Sequence, residues 1–278
     1  MFDVMNPAFS WNHLNQWTFS WVPNLLLAAF ALAYLRAQHR RTWPLSRTAC
    51  FLAGLVVTFI AVQSAVGVYD HTYFADHMVQ HLLLIMVAAP LFALSAPLEL
   101  LYLASGPRIR SVLDGRVLKA LTHPLFAFAC YAVFIPFTHL TSFFNLMLEH
   151  EPLHDLEHVA FLVVGYLFFR VAFGRERGVA LHPGLRLVFV MVAVPVDTFT
   201  GLALAMTSKN PFPAYRHLAP AGATPASILN DVHLGGAIMW IGGDALMLLA
   251  CIPIAVIWVN YETRRTRVLD AELDAQGL

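Results

Sequence analysis

Two histidine pairs share one spacing. His77 and His81 are four residues apart, and so are His154 and His158. On a helix that spacing stacks two rings on one face, about one turn apart. Paired imidazoles can hold a metal ion, and imidazole suits copper, zinc, iron and nickel. His150, His139 and His71 lie at the ends of neighbouring apolar segments and extend the candidate ligand set. Carboxylates often hold a ligating ring by its other nitrogen. Asp70, Asp76, Asp155 and Glu157 are placed for that role, and Asp231 and His233 open a later segment. Glu149 and Glu151 read as ordinary solvated charge, and His13 and His217 as rings at a membrane edge. Met78, Met147, Met206 and Met239 offer thioether, which favours cuprous copper, although methionine in an apolar helix usually serves packing. Asp197 and Asp244 fall deep in apolar segments with no basic residue at matching depth. Intramembrane acids point to a proton or ion path, or to hydrogen bonds with Thr198, Thr200 or each other.

The elements that must position these groups are membrane helices. The 278 residues are 59% hydrophobic and 12% charged, with a mean hydropathy of +0.65. Soluble domains carry about 25% charge, so the natural solvent for this chain is a lipid bilayer. The fold class expected is all-α, a polytopic transmembrane bundle. Seven stretches approach the roughly 20 apolar residues a span needs: Phe19–Leu35, Cys50–Val68, His77–Leu103, Pro124–Leu140, Pro152–Ala172, Leu185–Thr207 and Ile228–Val259. The third and seventh are longer than a straight crossing requires. Pro90, Pro97, Pro136, Pro195 and Pro253 lie inside spans and should kink them. Asp76 is the expected N-cap ahead of His77, and Pro152 suits the first turn ahead of His154. One membrane domain over 19–260 is expected, preceded by an outer interfacial segment, 1–18, and followed by a cytoplasmic tail, 261–278. Trp11, Trp17 and Trp21 mark the interface. The opening Met1-Phe2-Asp3 lacks the basic region of a cleaved signal peptide.

Basic residues set the orientation. With seven spans, all of the 17 lysines and arginines except Lys209 and Arg216 fall on one side, which becomes the cytoplasmic one. The N-terminus is then outside. All of the 13 histidines except His39, His123 and His182 lie near the outer surface, so the candidate metal site faces outward. A formal net charge of zero, with no basic run, argues against nucleic acid. Cys50, Cys130 and Cys251 form no CxxC pair and read as single buried thiols. The outer loop from Lys209 to Pro225 is rich in Pro, Gly and Ala and reads as a lid.

The stretch His77-Met78-Val79-Gln80-His81-Leu82-Leu83-Leu84, with Ala89-Pro90-Leu91 and Ser95-Ala96-Pro97, resembles the signature of CtaG-type cytochrome c oxidase assembly factors. Further matches are His139-Leu140, His150, His154, Leu156-Glu157-His158, Gly201-Leu202, Pro213-Ala214-Tyr215, Asp231 and Gly235 to Trp240. The chain departs at Thr141, where the family pattern has proline, and at Gly242-Gly243-Asp244, where it has a Pro-Gly kink; His233 is additional. The resemblance implies a seven-helix protein of the bacterial inner membrane that assists assembly of a caa-type oxidase through copper. Its implied partners are an oxidase subunit and a periplasmic copper donor, with a homo-oligomer a further option. Copper is preferred as the bound species on that ground, with zinc, iron or haem behind it. Two other functions compete: a haem-binding redox protein, and a metal-dependent membrane enzyme using Asp70, Asp76, Asp155 or Glu157, although no HExxH is present. A transporter would use Asp197 and Asp244, but no inverted repeat is evident.

Overall fold

The computed structural model describes residues 15–39, 41–179 and 181–276, and among them every regular element is a helix. Trp11, His13 and most of the interfacial segment expected over 1–18 lie outside the described residues. α1 (Trp21–Gln38) leads to α2 (Leu45–Gln63) and the short α3 (Ala65–Tyr69). α4 (Phe74–Leu82) runs through a π-helical segment, Leu83–Ala88, into α5 (Ala89–Ser95) and α6 (Pro97–Ala104). α7 (Pro107–Leu113) and α8 (Arg116–Leu121) link to α9 (Pro124–Leu140), α10 (Phe143–Glu149) and α11 (Glu151–Phe173). α12 (Pro183–Ala205), the single turn α13 (Tyr215–Leu218), α14 (Pro225–Ala237), a second π segment (Ile238–Gly242) and α15 (Gly243–Gln276) complete the order.

Among the described residues, five helical stretches are long and apolar enough to cross a membrane: Leu45–Tyr69, Phe74–Ala104, Glu151–Phe173, Pro183–Ala205 and Pro225–Gln276. α9 and α10, bent by 70° at their junction, make a sixth if they count as one broken span. α1 is not among them. It has 18 residues and includes Pro23, Asn24, Arg36 and Gln38, which dilute its apolar run. Phe74–Ala104 and Pro225–Gln276 are long, at 31 and 52 residues, and α15 carries the tail onward as helix to Gln276.

Prolines act in two ways. Pro90 lacks an amide proton and its ring crowds the carbonyl of Met86, and the wider π turn of Leu83–Ala88 sits where that conflict falls. Ala96 takes a left-handed φ of 52°, and Pro97 then opens α6. Pro136, Pro195 and Pro253 instead lie within helices that stay continuous.

α5 packs between α2 and α11, and α12 packs on α14 and α15. Two glycines permit the closest approaches. A Cβ on Gly165 would stand 2.9 Å from the Ile85 carbonyl oxygen, so only glycine lets α11 close on the π segment below His81. A Cβ on Gly236 would stand 2.5 Å from the Ala205 amide nitrogen, so α14 meets α12 backbone to backbone. At the far end of α11, buried Glu176 accepts from Arg170 Nε (2.6 Å), the Tyr166 hydroxyl (2.8 Å) and the Leu98 amide (2.9 Å). Burial pushes its carboxyl up, and the Arg170 guanidinium opposes that shift.

Candidate metal centre

α4 and α11 place both histidine pairs in one buried cluster. His77 and His81 have ring centroids 4.1 Å apart, His154 and His158 4.3 Å, and His77 and His154 5.2 Å. The helical spacing therefore does what the sequence suggests within each pair, and the packing of α4 against α11 brings the pairs together. α4 does not start on Asp76. Its N-cap residue is Tyr73, and Asp76 lies buried in the first turn. Asp231, on α14, performs the capping instead, its Oδ2 accepting from the Phe74 amide at 2.6 Å.

Two groups of potential ligands result. In the inner group, His77 Nε2 and His81 Nε2 lie 3.6 and 3.5 Å from Glu157 Oε2. Side-chain exposures here are 0%, 4% and 1%. His77 makes no hydrogen bond through either nitrogen, Glu157 none through either oxygen, and His81 none through Nε2. In the outer group, Asp70, His71 and His154 converge. His154 Nε2 stands 3.8 Å from Asp70 Oδ2, and His71 Nε2 stands 4.0 Å from Asp70 Oδ1. His71 is 36% exposed, against 3% for each of the other two side chains. Burial pushes the Asp70 carboxyl up to about 7, opposed by its hydrogen bond from Gln80, and burial pulls the His71 imidazole down.

Hydrogen bonds fix which nitrogens carry protons. His139 Nδ1 lies 2.8 Å from the Ile135 carbonyl, an acceptor only, so this nitrogen donates. In neutral His139, Nε2 must then accept from His81 Nδ1, 3.3 Å away. The chain leaves a lone pair on His81 Nε2, directed at Glu157, which is the form a metal requires. Gln80 works similarly between the groups. Its amide nitrogen donates to Asp70 Oδ2 (2.7 Å) and the Ala61 carbonyl (3.2 Å), so its oxygen accepts from His158 Nε2 (2.7 Å). His158 thus contacts the amide of Gln80 and does not join either ligand group. Gln80 belonged to the motif by sequence, but its role needed α2, α4 and α11 together.

An aromatic roof covers the inner group. Phe144 packs on His77 at 5.0 Å and on Phe212 at 4.3 Å, and Phe212 stacks on Phe74 at 4.9 Å. Phe161 stacks beneath His81 at 3.8 Å. Phe212 and Tyr215 come from the 209–225 loop, which is held down where the Ala214 amide donates to Asn145 Oδ1 at 3.1 Å.

The other candidates lie apart. His150 and Asp155 are exposed, and the His150 carbonyl receives the His154 amide at the start of α11. His233 Nε2 donates to the Thr207 carbonyl at 2.8 Å. Asp197 accepts a short hydrogen bond from Tyr131, and Asp244 accepts from Thr198 Oγ1 at 2.9 Å. Neither acid bonds the other or Thr200, whose hydroxyl donates to the Val196 carbonyl. Met78 packs toward Gly235, and Met206 is exposed.

Residues 28–261 match the family described as cytochrome c oxidase caa3 assembly factor, and the chain belongs to that family. An uncharacterized protein of Mycobacterium leprae is 28% identical over 236 residues, covering 80% of this chain and 36% of the relative. Uncharacterized proteins of Mycobacterium bovis and Mycobacterium tuberculosis are each 26% identical over 265 residues, covering 90% of this chain and 40% of theirs. The chain thus spans two fifths or less of the length of these relatives. No solved structure matches it.

Proposed function

We propose that the protein assists cytochrome c oxidase assembly by holding copper as cargo at His77, His81 and Glu157. The observation that carries this reading is a buried set of unsatisfied ligand atoms, His77 Nε2 and His81 Nε2 lying 3.6 and 3.5 Å from Glu157 Oε2. Each unsatisfied buried polar atom costs about 1–3 kcal/mol, and one bound cation would engage a nitrogen of each ring and the carboxylate between them. Two imidazoles and a carboxylate, with no thiolate, suit a divalent ion better than a cuprous one. The preference for copper over zinc comes from the family's role with the oxidase.

In this reading the chain crosses a bacterial cytoplasmic membrane seven times, with α1 and the α9–α10 pair as the additional spans. The asymmetry of basic residues supports an outward-facing site. Cargo would come from a periplasmic copper donor and leave to an oxidase subunit, and a second copy of the chain is a further candidate partner. Haem fits the cluster less well. Axial imidazoles must stand on opposite faces of the macrocycle with the iron between their nitrogens, whereas the His77 and His154 rings already lie against each other with centroids 5.2 Å apart. A hydrolytic zinc centre would share the donor types, but Met78 stands where an HExxH site carries its glutamate base.

The test is elemental analysis of the full chain, purified in detergent without added metal and then reloaded with Cu(II) or Zn(II). The protein should carry copper, and the His77→Ala/His81→Ala variant should carry less. Unchanged metal content in that variant would refute the reading.

A further inference from the structure

The inner and outer groups share no ligand, yet one ring of each faces the other: His77 of the inner and His154 of the outer, centroids 5.2 Å apart. They differ in access. The outer group includes His71, which is 36% exposed, while no inner side chain exceeds 4%. They also differ in readiness. Every inner ligand has an unsatisfied atom. In the outer group Asp70 Oδ1 and His154 Nε2 lack hydrogen bonds, but Asp70 Oδ2 is already engaged by Gln80.

We infer that the cluster is a two-station metal relay, in which Asp70, His71 and His154 receive a divalent cation and pass it to His77, His81 and Glu157. This inference rests on the proposed metal-binding function and adds a direction to it. His71 is the accessible ligand, and the aromatic roof of Phe144, Phe212 and Tyr215 closes over the inner rings. The facing rings of His77 and His154 allow an ion to be exchanged by replacing one nitrogen with another.

Charge favours sequential filling. Each station holds one carboxylate, so a divalent ion in either keeps a net positive charge. Two such centres at this separation repel, in surroundings too dry to screen them. An ion in the inner station therefore weakens the outer one. Gln80 contributes to the asymmetry: it holds Asp70 and His158 with the same amide, so the outer station keeps its shape without drawing His158 into the ligand set.

The experiment is a titration of the detergent-purified full chain with Cu(II), followed by equilibrium competition and stopped-flow absorbance. The wild type should fill in two steps, one tight and one weak. An Asp70→Asn/His71→Ala variant should lose the weak step and load the tight one about tenfold more slowly, the scale on which charged clefts raise local ion concentration. A His77→Gln/Glu157→Gln variant should lose the tight step and bind more tightly at the remaining station, because the repelling ion is gone. His71 is partly exposed and Glu157→Gln is isosteric, and circular dichroism confirms folding of each variant. A single binding step abolished by either variant would overturn the relay while leaving the metal-binding function intact. Tight loading at an unchanged rate in the outer variant would also overturn it. Absence of Cu(II) binding in the folded wild type would defeat both.

Discussion

His139 shows how a residue can shape a candidate ligand without joining its group. Its Nδ1 is committed to the Ile135 carbonyl, and its Nε2 therefore sets the tautomer of His81. Replacing His139 with Phe preserves an apolar ring but removes that control. Copper affinity should fall about 10–100-fold, the usual cost of losing an outer partner, with helix content unchanged; a competition titration measures it. Equal affinity in His139→Phe would mean that His81 takes its ligating form unaided. Gln80 acts in the same manner, because its amide can bond Asp70, Ala61 and His158 only in one orientation. Asp197 differs in kind: Tyr131 satisfies it within the helix bundle, on elements that do not supply the proposed cation ligands.

Among the elements, α11 carries both ends of the architecture. Its first turns bear His154 and Glu157, and its last turn bears Arg170, paired with buried Glu176. Glu176→Gln would keep acceptors for Leu98 and Tyr166 but leave the Arg170 guanidinium buried without its counter-ion. Removing one partner of a buried pair costs about 3–5 kcal/mol, so thermal unfolding in detergent should shift clearly downward while metal stoichiometry stays the same. Gly236→Leu tests the α12–α14 contact. A side chain there meets backbone on Ala205 and Gly201 with nothing flexible to yield. The variant should fail to accumulate as folded protein, as fluorescence-detected size exclusion would show.

For the whole molecule, a cation that binds only the folded chain must stabilise it. At a free ion concentration 100 times Kd the gain is about 2.7 kcal/mol. The melting temperature should rise with added Cu(II), and rise less in the His77→Ala/His81→Ala variant, which keeps only the outer group of ligands. Binding should weaken as pH falls, because imidazole and carboxylate ligands must be deprotonated to bind. A metal-induced shift that persisted undiminished in acid would place the ion elsewhere.

The sequence by itself determined the helical membrane class and the pairing of histidines within each helix. Hydropathy is a sum over neighbouring residues, and a four-residue spacing means one helix face wherever the helix goes. It also pointed to Asp70, His71, His139 and Glu157 as members of one neighbourhood. Only the tertiary structure divided that neighbourhood into two groups of potential ligands, moved His158 onto Gln80, and set His139 behind His81. It also replaced Asp76 with Asp231 as the cap of α4, left His150 exposed, and joined α9 to α10 through a sharp bend. Those outcomes depend on the depth and rotation of one helix against another. Close contacts such as Gly165 on the π segment and Gly236 on α12 set them, and no local pattern encodes them.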